Sequence, residues 1–348
     1  MPSGSSSDGY LIDQNPSPEE WDRFVRSSAD GTLFHTSTWR GALEGLSMRP
    51  RYLAVRKPGE GIVAVFPLFY VAKYGLFRVL ASVPESDLGG PLLRDPTDIR
   101  AIVLLKEFLT RLPATERVAF TRAVLTDPRI LEAFGPGVEN IPIKSGCFVV
   151  DLKTSPPEKI WGQVFEKKTR QKVHRLESMG ASERVGGTIE DLREFYRLYR
   201  TNLKSRGRQV RDFRFFHALW EKMYPDHMNV LSVSLNGSTV AFNVFFLYPE
   251  RGTVHLAYMG YDHERVGNLS ISLYCDWKTI CWARSNGYSS VNFGTTAESP
   301  ANKYHQYKAL FGGEFVPRYL VRFPANRLLW TGYRAFRRAR RTIRKRVV

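Results

Sequence analysis

Residues 254–313 read VHLAYMGYDHERVGNLSISLYCDWKTICWARSNGYSSVNFGTTAESPANKYHQYKALFGG. The part HLAYMGYD is a short run that ends in residues typical of a turn. Apolar residues then recur at helical spacing, and Asn286-Gly287 is a common C-terminal signal for a helix. These apolar residues are Leu273, Trp277, Ile280 and Ala283. VNFGTT predicts a strand that runs into a glycine-opened loop, and NKYHQYKALFGG predicts a short helix with Lys308 near its end. The predicted order is strand, helix, strand, loop, helix.

The composition is that of a globular protein. The chain has 348 residues, 43% hydrophobic and 13% aromatic, which is enough for two domains with buried cores. No apolar run approaches the roughly 20 residues that span a bilayer, and the longest, GIVAVFPLFYVA, is interrupted by Pro67 and predicts a strand. The first ten residues, MPSGSSSDGY, lack the basic start and apolar core of a signal peptide. We therefore expect a flexible tail over residues 1–10 and a cytoplasmic protein.

Several classes of active site have no signal in this chain. Cys147, Cys275 and Cys281 are an odd, scattered set with neither disulfide nor zinc spacing, so we predict buried thiols and no metal site. G-x-S-x-G, the P-loop and G-x-G-x-x-G are all absent from the sequence.

The same order of elements occurs twice along the chain. In the first half, Lys57-Pro58-Gly59 separates two strand-like runs, and a helix over 98–112 and the strand VAFTRAVL follow. In the second half, Asn236-Gly237 is a strong hairpin signal between two such runs, again with a helix and a strand to follow. The repetition predicts two similar domains that mix helices and strands.

A basic helix is predicted at the start of the second half. After the strand CFVVDL, Ser155 suits an N-cap, Pro156 the first helical position and Glu158 a capping box, so we expect one helix that continues to Gly180. Its positive residues are Lys168, Arg170, Lys172, His174 and Arg175. Arginine suits bidentate contacts with phosphate, and Arg170 is the leading candidate for an anion site. A solvated helix face is the alternative.

These elements together resemble a known family. Tyr258-Met259-Gly260, the long helix, the strand to Gly294 and Tyr307-Lys308 before Phe311-Gly312 resemble the FemA/FemB/FemX-type aminoacyltransferases of peptidoglycan bridge formation and their BioF2-like acetyltransferase relatives. The resemblance implies an α+β fold of two tandem GNAT (acyl-CoA N-acyltransferase)-like domains, each a mixed central sheet flanked by helices. Asn292 departs from the pattern, because the family often has an acid there.

The resemblance also implies domain boundaries. The expected parts are the tail over 1–10, a first domain over 11–148, a second domain over 149–313, a strand at about 314–325 that returns to the first domain, and a basic amphipathic helix over 326–348.

Acyl transfer in such folds needs no nucleophilic side chain, because backbone N–H groups bind the donor carbonyl where two central strands separate. By resemblance, Lys308 with Tyr307 stabilises developing negative charge; an ordinary surface lysine is the alternative. His305 is either a base or a structural residue. The candidates for substrate binding are Arg170, Lys168, Trp39, Arg40, Tyr258 and Asn292. A simple packing role for Trp39 stays open.

The expected reaction moves an acyl or aminoacyl group onto an amine, or a hydroxyl, of a bulky anionic cell-envelope or glycan precursor. The donor is aminoacyl-tRNA or acyl-CoA. The chain lacks the long coiled-coil arm that some Fem proteins carry, which weighs against tRNA and leaves both donors open. One alternative is a BioF2-like, acyl-CoA-dependent N-acyltransferase, and the other is a non-catalytic GNAT-like module that binds anionic membrane or nucleic acid.

The net charge of +17 is concentrated at the C-terminus. Nine of these charges come from basic residues within 327–346, a segment without acids. Its apolar residues include Leu329, Trp330 and Phe336, so the helix suits peripheral contact with the anionic inner face of a membrane. A contact with nucleic acid or tRNA, or a disordered tail, are the alternatives.

Overall fold

The computed structural model describes residues 9–346, with the side chains of all of these except 114, 140, 142 and 340–346. The chain forms two compact units. The first unit contains the residues up to Arg40, Ser47–Ile143 and the residues from Arg318 onward. The second unit contains Gly41–Leu46 and Lys144–Pro317.

The strands, in chain order, are β1 (Leu11–Asp13), β2 (Arg49–Lys57), β3 (Gly61–Lys73), β4 (Phe77–Ser82), β5 (Leu92–Leu93), β6 (Val118–Leu125), β7 (Glu139–Asp151), β8 (Ser182–Val185), β9 (Met228–Leu235), β10 (Ser238–Tyr248), β11 (Thr253–Tyr261), β12 (Ser290–Ala297) and β13 (Glu314–Pro324). The helices are α1 (Pro18–Ser27), α2 (Ser37–Glu44), α3 (Ile99–Thr110), α4 (Pro128–Ala133), α5 (Pro157–Lys159), α6 (Lys167–Ser178), α7 (Ile189–Lys204), α8 (Phe213–Met223), α9 (His263–Val266), α10 (Ile271–Ser285), α11 (Lys303–Ala309) and α12 (Arg327–Arg346).

The first unit is built on strands in the order β1-β2-β3-β4-β6-β13, with β5 beside β3. All described pairings are antiparallel except that of β4 with β6, which is parallel. Its main core packs α3 against the sheet and includes Phe66, Ile102 and Phe323. A smaller cluster on Phe120 holds α12 through Trp330 and Tyr333. Each face of this sheet therefore has its own apolar layer.

The second unit has the strand order β7-β12-β11-β10-β9-β8. The pairing of β11 with β12 is parallel and the others are antiparallel. The connection from β11 to β12 runs through α10, whose buried residues lie on all sides of the helix. A helix that is apolar all round is one that the core encloses. The order strand, helix, strand, loop, helix predicted from residues 254–313 is confirmed.

The predicted single helix from Pro156 to Gly180 is wrong. Pro156 is extended, because a residue that precedes a proline avoids helical geometry, and it makes no side-chain capping bond. The chain forms α5, one π-helical turn over Ile160–Val164, and a break at Phe165 before α6 begins. The Phe165 ring turns into the core and lies 5.1 Å from the ring of Trp277. Burial of this aromatic ring explains why the helix is interrupted.

The predicted C-terminal helix is present as α12, whereas the N-terminal tail is shorter than predicted. Residues 1–8 of the predicted tail lie outside the described residues, but Tyr10 is buried and its hydroxyl donates to Asp98 at 3.0 Å, so the tail does not extend to residue 10. In α12, Trp330 and Tyr333 are buried under the first unit's own sheet, and the ring of Phe336 lies 5.9 Å from that of Phe77. Trp330 and Tyr333 therefore pack within the unit, and Phe336 lies half-buried beside them.

No helix among residues 9–346 combines the length and the apolar character that crossing a bilayer requires.

Candidate active site

The parallel strands β11 and β12 stop pairing halfway along their length. Their ladder runs from Thr253 opposite Ser290 to His255 opposite Asn292, and both strands continue beyond it. At the same point the register of β12 against β7 shifts, and Gly294 has a φ of +65°. Residues other than glycine rarely adopt that backbone conformation. We call the region where these two strands part the wedge.

Asn292 shapes the β12 side of the wedge. Its Oδ1 accepts a hydrogen bond from the backbone N–H of Gly294 at 2.8 Å, and the side chain is buried. The carboxamide is therefore turned back on its own strand, where it supports the bulge at Gly294. In this geometry Asn292 supports the backbone of the site.

Lys308, on α11, reaches the same bulge. Its Nζ donates to the carbonyl oxygens of Phe293 at 2.5 Å, Gly294 at 3.0 Å and Thr295 at 2.9 Å. An ammonium group has three N–H bonds, so these carbonyls account for all of its donors. Lys308 thus fixes the end of β12 and places a positive charge beside the wedge.

A buried acid lies behind Lys308. The Tyr307 hydroxyl donates to Oδ2 of Asp276 at 2.6 Å, and Nδ2 of Asn243 donates to Oδ1 at 3.1 Å and to the hydroxyl oxygen of Thr279 at 3.2 Å. Asp276 is only 6% exposed. Each carboxylate oxygen nevertheless has a hydrogen-bond donor, as a buried charge requires. Helices α10 and α11 and strand β10 meet at this carboxylate.

The pKa values of Asp276 and Tyr307 are both raised in this cluster. Burial raises the pKa of Asp276 to about 6, against the opposing effects of the Tyr307 hydrogen bond and the charge of Lys308. Burial, together with the negative charge of Asp276, raises the pKa of Tyr307 well above its usual value. Tyr307 is therefore a protonated donor at neutral pH. Asp276 was not predicted, although its position on the apolar side of α10, three residues after Leu273 and four before Ile280, is a signal that could have revealed it.

His305 lies in α11 with one ring nitrogen occupied. Its Nδ1 is 3.0 Å from the carbonyl oxygen of Ala297, and its ring packs edge-on against Phe148 at 4.8 Å. A carbonyl only accepts, so Nδ1 carries the proton and Nε2 of the neutral ring is left with a lone pair.

Tyr258, on β11, packs edge-on against Phe216 at 5.0 Å, and the Arg211 guanidinium lies 5.8 Å from the centre of the Tyr258 ring.

Arg170 binds the backbone. One of its terminal nitrogens donates to the carbonyl oxygens of Trp161, at 3.0 Å, and Phe165. These carbonyls end the π-helical turn, so Arg170 holds the break before α6. The other residues of the predicted basic patch, Lys168, Lys172, His174 and Arg175, are exposed. Their arrangement matches the alternative of a solvated helix face.

Two candidate residues lie in the first unit. Trp39 is fully buried and packs edge-on against Phe34 at 4.8 Å. The Arg40 guanidinium lies 5.0 Å from the centre of the Tyr52 ring. The contacts of Trp39 match the packing role that the sequence left open.

A loop follows β11 at the turn that the sequence predicts. Asp262 Oδ1 accepts from the backbone N–H groups of Glu264 and Arg265 and so starts the one-turn helix α9. Gly267 then has a φ of +50°, and Ser270 precedes α10. An exposed loop that leads from a parallel strand into the N-terminus of a long helix is suited to phosphate groups. Gly267 and Ser270 before an apolar helix are the sequence signal.

Metal and thiol chemistry have no visible site in the described part of the chain. No group of three or more His, Cys, Asp or Glu side chains is placed to hold a metal ion among the described residues. Burial raises the pKa of the Cys281 thiol to about 11 and raises that of the Cys275 thiol well above its usual value. Such thiols are poor nucleophiles at neutral pH.

The wedge and its surroundings define an acyltransferase-type fold, and comparison with known proteins agrees. Residues 164–309, which include Asp276, Tyr307 and Lys308, match the family model described as an acetyltransferase (GNAT) domain. The match supports acyl transfer in general and suggests acyl-CoA as a co-substrate.

Solved structures give the same fold over nearly the whole chain. FemX is similar with a TM-score of 0.70 and 13% identity, over 88% of this chain and 96% of FemX. The C-terminal domain of a putative lysylphosphatidylglycerol synthetase from Agrobacterium fabrum gives 0.59 and 15%, over 88% and 92%. A tandem GNAT protein from the clavulanic acid biosynthesis pathway gives 0.58 and 11%, over 91% and 98%. The search of curated proteins found no match.

The predicted resemblance and the α+β tandem GNAT fold are therefore confirmed. At these identities the structural likeness establishes the fold, and the choice of donor and acceptor is a separate question.

Proposed function

We propose that this protein transfers an acyl or aminoacyl group onto an amine of a bulky anionic cell-envelope or glycan precursor, with the donor held in the wedge. The observation that carries this proposal is the end of the β11–β12 ladder at His255 and Asn292, beside the bulge that Lys308 fixes. Peptide groups beyond the ladder line an opening between two strands, where a donor carbonyl can accept hydrogen bonds.

The proposed reaction divides its tasks among few residues. The amine nitrogen attacks the acyl carbon, the bond from that carbon to the donor's sulfur or oxygen breaks, and the amine loses a proton. Backbone N–H groups of the wedge and the charge of Lys308 stabilise the oxyanion that forms on the acyl oxygen. Nε2 of His305 is the proposed proton acceptor. Asp276 acts as a positioning residue, because it holds Tyr307 and therefore α11, which carries both Lys308 and His305.

Two donors fit this scheme. The GNAT domain match favours acyl-CoA, and the loop from Asp262 to Ser270 at the start of α10 offers a place for its phosphates. Aminoacyl-tRNA is the second donor, supported by the fold shared with FemX and with the domain of a putative lysylphosphatidylglycerol synthetase. The acyl-CoA form corresponds to the BioF2-like alternative.

The proposal places the protein in the cytoplasm, in peripheral contact with the anionic inner face of a membrane. Exposed basic residues of α12, such as Arg334 and Arg338, support this contact. The aromatic residues of the same helix pack against the first unit, so the proposed contact depends on these positive charges.

A donor test distinguishes acyl-CoA from aminoacyl-tRNA. Purified protein is incubated with labelled acyl-CoA or labelled aminoacyl-tRNA and a panel of amine acceptors that includes a nucleotide-linked glycan peptide. We expect turnover with one donor, which the Lys308→Ala variant loses. The Lys303→Ala variant is the matched control, since Lys303 lies on the same helix and is exposed. Slow donor hydrolysis without an acceptor would still identify the donor. The absence of turnover and hydrolysis with both donors would overturn the proposal and favour a non-catalytic binding module.

A further inference from the structure

The sheet face under α12 contains two arginines directly opposite each other. Phe120 and Arg122 lie two residues apart on β6 and so point to the same face, the face that carries Trp330 and Tyr333. In the register of β6 with β13, Arg322 pairs with Arg122. Side chains at such a pair start about 5 Å apart, and like charges there repel each other.

A third arginine comes from α12 itself. Arg337 follows Tyr333 by four residues and Trp330 by seven, so it continues the stripe that faces the sheet. It is half-buried, as are Arg122 and Arg322. Tyr333 is only 2% exposed, and its pKa is raised by burial, with Arg322, Arg337 and Arg122 each acting in the opposite direction. All three positive charges therefore act on one buried phenol.

Arg322 keeps unsatisfied nitrogens, although its guanidinium lies 5.9 Å from the centre of the Phe120 ring. Nε and one terminal nitrogen of Arg322 are buried with no hydrogen-bond partner among the described residues. Burial lowers the pKa of both Arg322 and Arg122. The negative charge of Glu139 acts to raise the pKa of Arg322, but the Glu139 carboxylate itself lies 3.7 Å from Nε of Arg334. By contrast, Arg51 of the same unit pairs with Glu116 at 2.8 Å.

We propose that Arg122, Arg322 and Arg337 bind a phosphate group between α12 and the sheet of the first unit. Three guanidinium groups carry more positive charge than Glu139, which acts on Arg322, can balance. They match a compact anion with several oxygens and more than one negative charge better than they match a single carboxylate. The bound phosphate would also fasten α12 to the sheet. The group comes either from free phosphate or from a phospholipid headgroup, and both present the same chemistry to the arginines. The proposal does not depend on the transferase reaction.

The test measures thermal unfolding of the full chain in phosphate and in chloride at equal ionic strength. We expect phosphate at millimolar concentration to raise the Tm of the wild-type protein above its value in chloride. The variants Arg322→Gln and Arg122→Gln should need at least tenfold more phosphate for the same rise. Arg111→Gln is the control and should respond as the wild type does, because Arg111 is exposed on α3's C-terminal side and pairs with Glu107.

Vesicles separate the two sources of phosphate. Hydrogen exchange of α12 over residues 330–338 is measured with inorganic phosphate, with phosphatidylglycerol vesicles and with phosphatidylcholine vesicles. Slower exchange with inorganic phosphate indicates free phosphate, and slower exchange with phosphatidylglycerol vesicles alone indicates a headgroup; either result supports the site if Arg322→Gln abolishes it. No response of the wild type to any of these probes, or a response of both Gln variants that equals that of the wild type, overturns the proposal. If the Gln variants unfold, Arg337→Gln is tested in their place, since Arg337 lies on α12 and not in the sheet.

Discussion

Two buried charged centres of this molecule are satisfied in opposite ways. In the second unit, Asp276 is buried and both of its oxygens accept hydrogen bonds from Tyr307 and Asn243. In the first unit, Arg322 is half-buried, two of its nitrogens are buried without a hydrogen-bond partner among the described residues, and it pairs with Arg122 on the neighbouring strand. A satisfied buried charge holds elements of the fold in position. A buried charge without partners is costly unless something outside the chain completes it.

The largest expected effect is on the rate of turnover, and it comes from Lys308, which lies next to the Asp276 centre. Lys308→Ala removes three hydrogen bonds to the carbonyls of the bulge and the charge beside the wedge. We expect kcat with the donor that the protein uses to fall by about 10²- to 10³-fold. Steady-state kinetics measure it, with Lys303→Ala as the control that retains activity. An unchanged kcat in Lys308→Ala would remove the wedge from the mechanism.

The pH dependence of stability reports on Asp276. Its pKa is about 6 in the folded protein, above the ordinary value of about 4, so the folded state holds this proton more tightly. Its contribution to the free energy of unfolding is therefore fully present below about pH 4 and is lost as the pH rises to about 6. Two pKa units correspond to about 3 kcal/mol. Urea unfolding of wild type and Asp276→Asn from pH 4 to 8 measures the difference, and parallel pH profiles would contradict the shift.

Tyr307→Phe tests the hydrogen bond itself. The variant leaves Oδ2 of Asp276 buried without its 2.6 Å donor, and we expect a loss of about 2 kcal/mol in the free energy of unfolding. Tyr304→Phe is the matched control on the same helix. Its hydroxyl accepts from the exposed Arg208, so its loss should stay within about 0.5 kcal/mol. Equal losses in the two variants would mean that the Asp276 cluster contributes no special stability.

The smallest effect is expected at the unsatisfied centre, and it has the opposite sign. In phosphate-free buffer, Arg322→Met removes a buried charge that has repulsive neighbours, and we expect a gain of about 1 kcal/mol. Arg51→Met, in contrast, removes the partner of Glu116 and should cost about 2 kcal/mol. Urea unfolding of both variants measures this. If Arg322→Met loses as much as Arg51→Met, the two arginines are equally well satisfied and the contrast between the centres is wrong.

The local elements of the wedge could be predicted from sequence because their signals are local. The apolar spacing of α10, its stop at Asn286 and the Asn236-Gly237 hairpin each depend on a few adjacent residues. Family resemblance added Lys308, which the structure places at the bulge of β12, and Tyr307, which it places against Asp276. The roles of these residues remain proposals.

The features that sequence did not reveal depend on contacts between distant segments. Asp276 can be recognised as part of the site only from its hydrogen bond with Tyr307, which α11 brings to it. The pairing of Arg122 with Arg322 follows only from the register of β6 with β13. Arg170 looks like part of a basic patch, yet the break that Phe165 makes gives it backbone carbonyls to bind. Charge patterns in the sequence show which residues are basic but not which way they point.

Hydrogen exchange of the wedge tests the central claim most directly. The protein is measured alone and with whichever donor gives turnover or hydrolysis, and exchange is followed at the amides of β11 beyond His255 and of β12 beyond Asn292. We predict that the donor slows exchange at both strand ends in wild type and Lys303→Ala, and much less in Lys308→Ala. Protection elsewhere in the chain, with the wedge amides unchanged, would contradict the account.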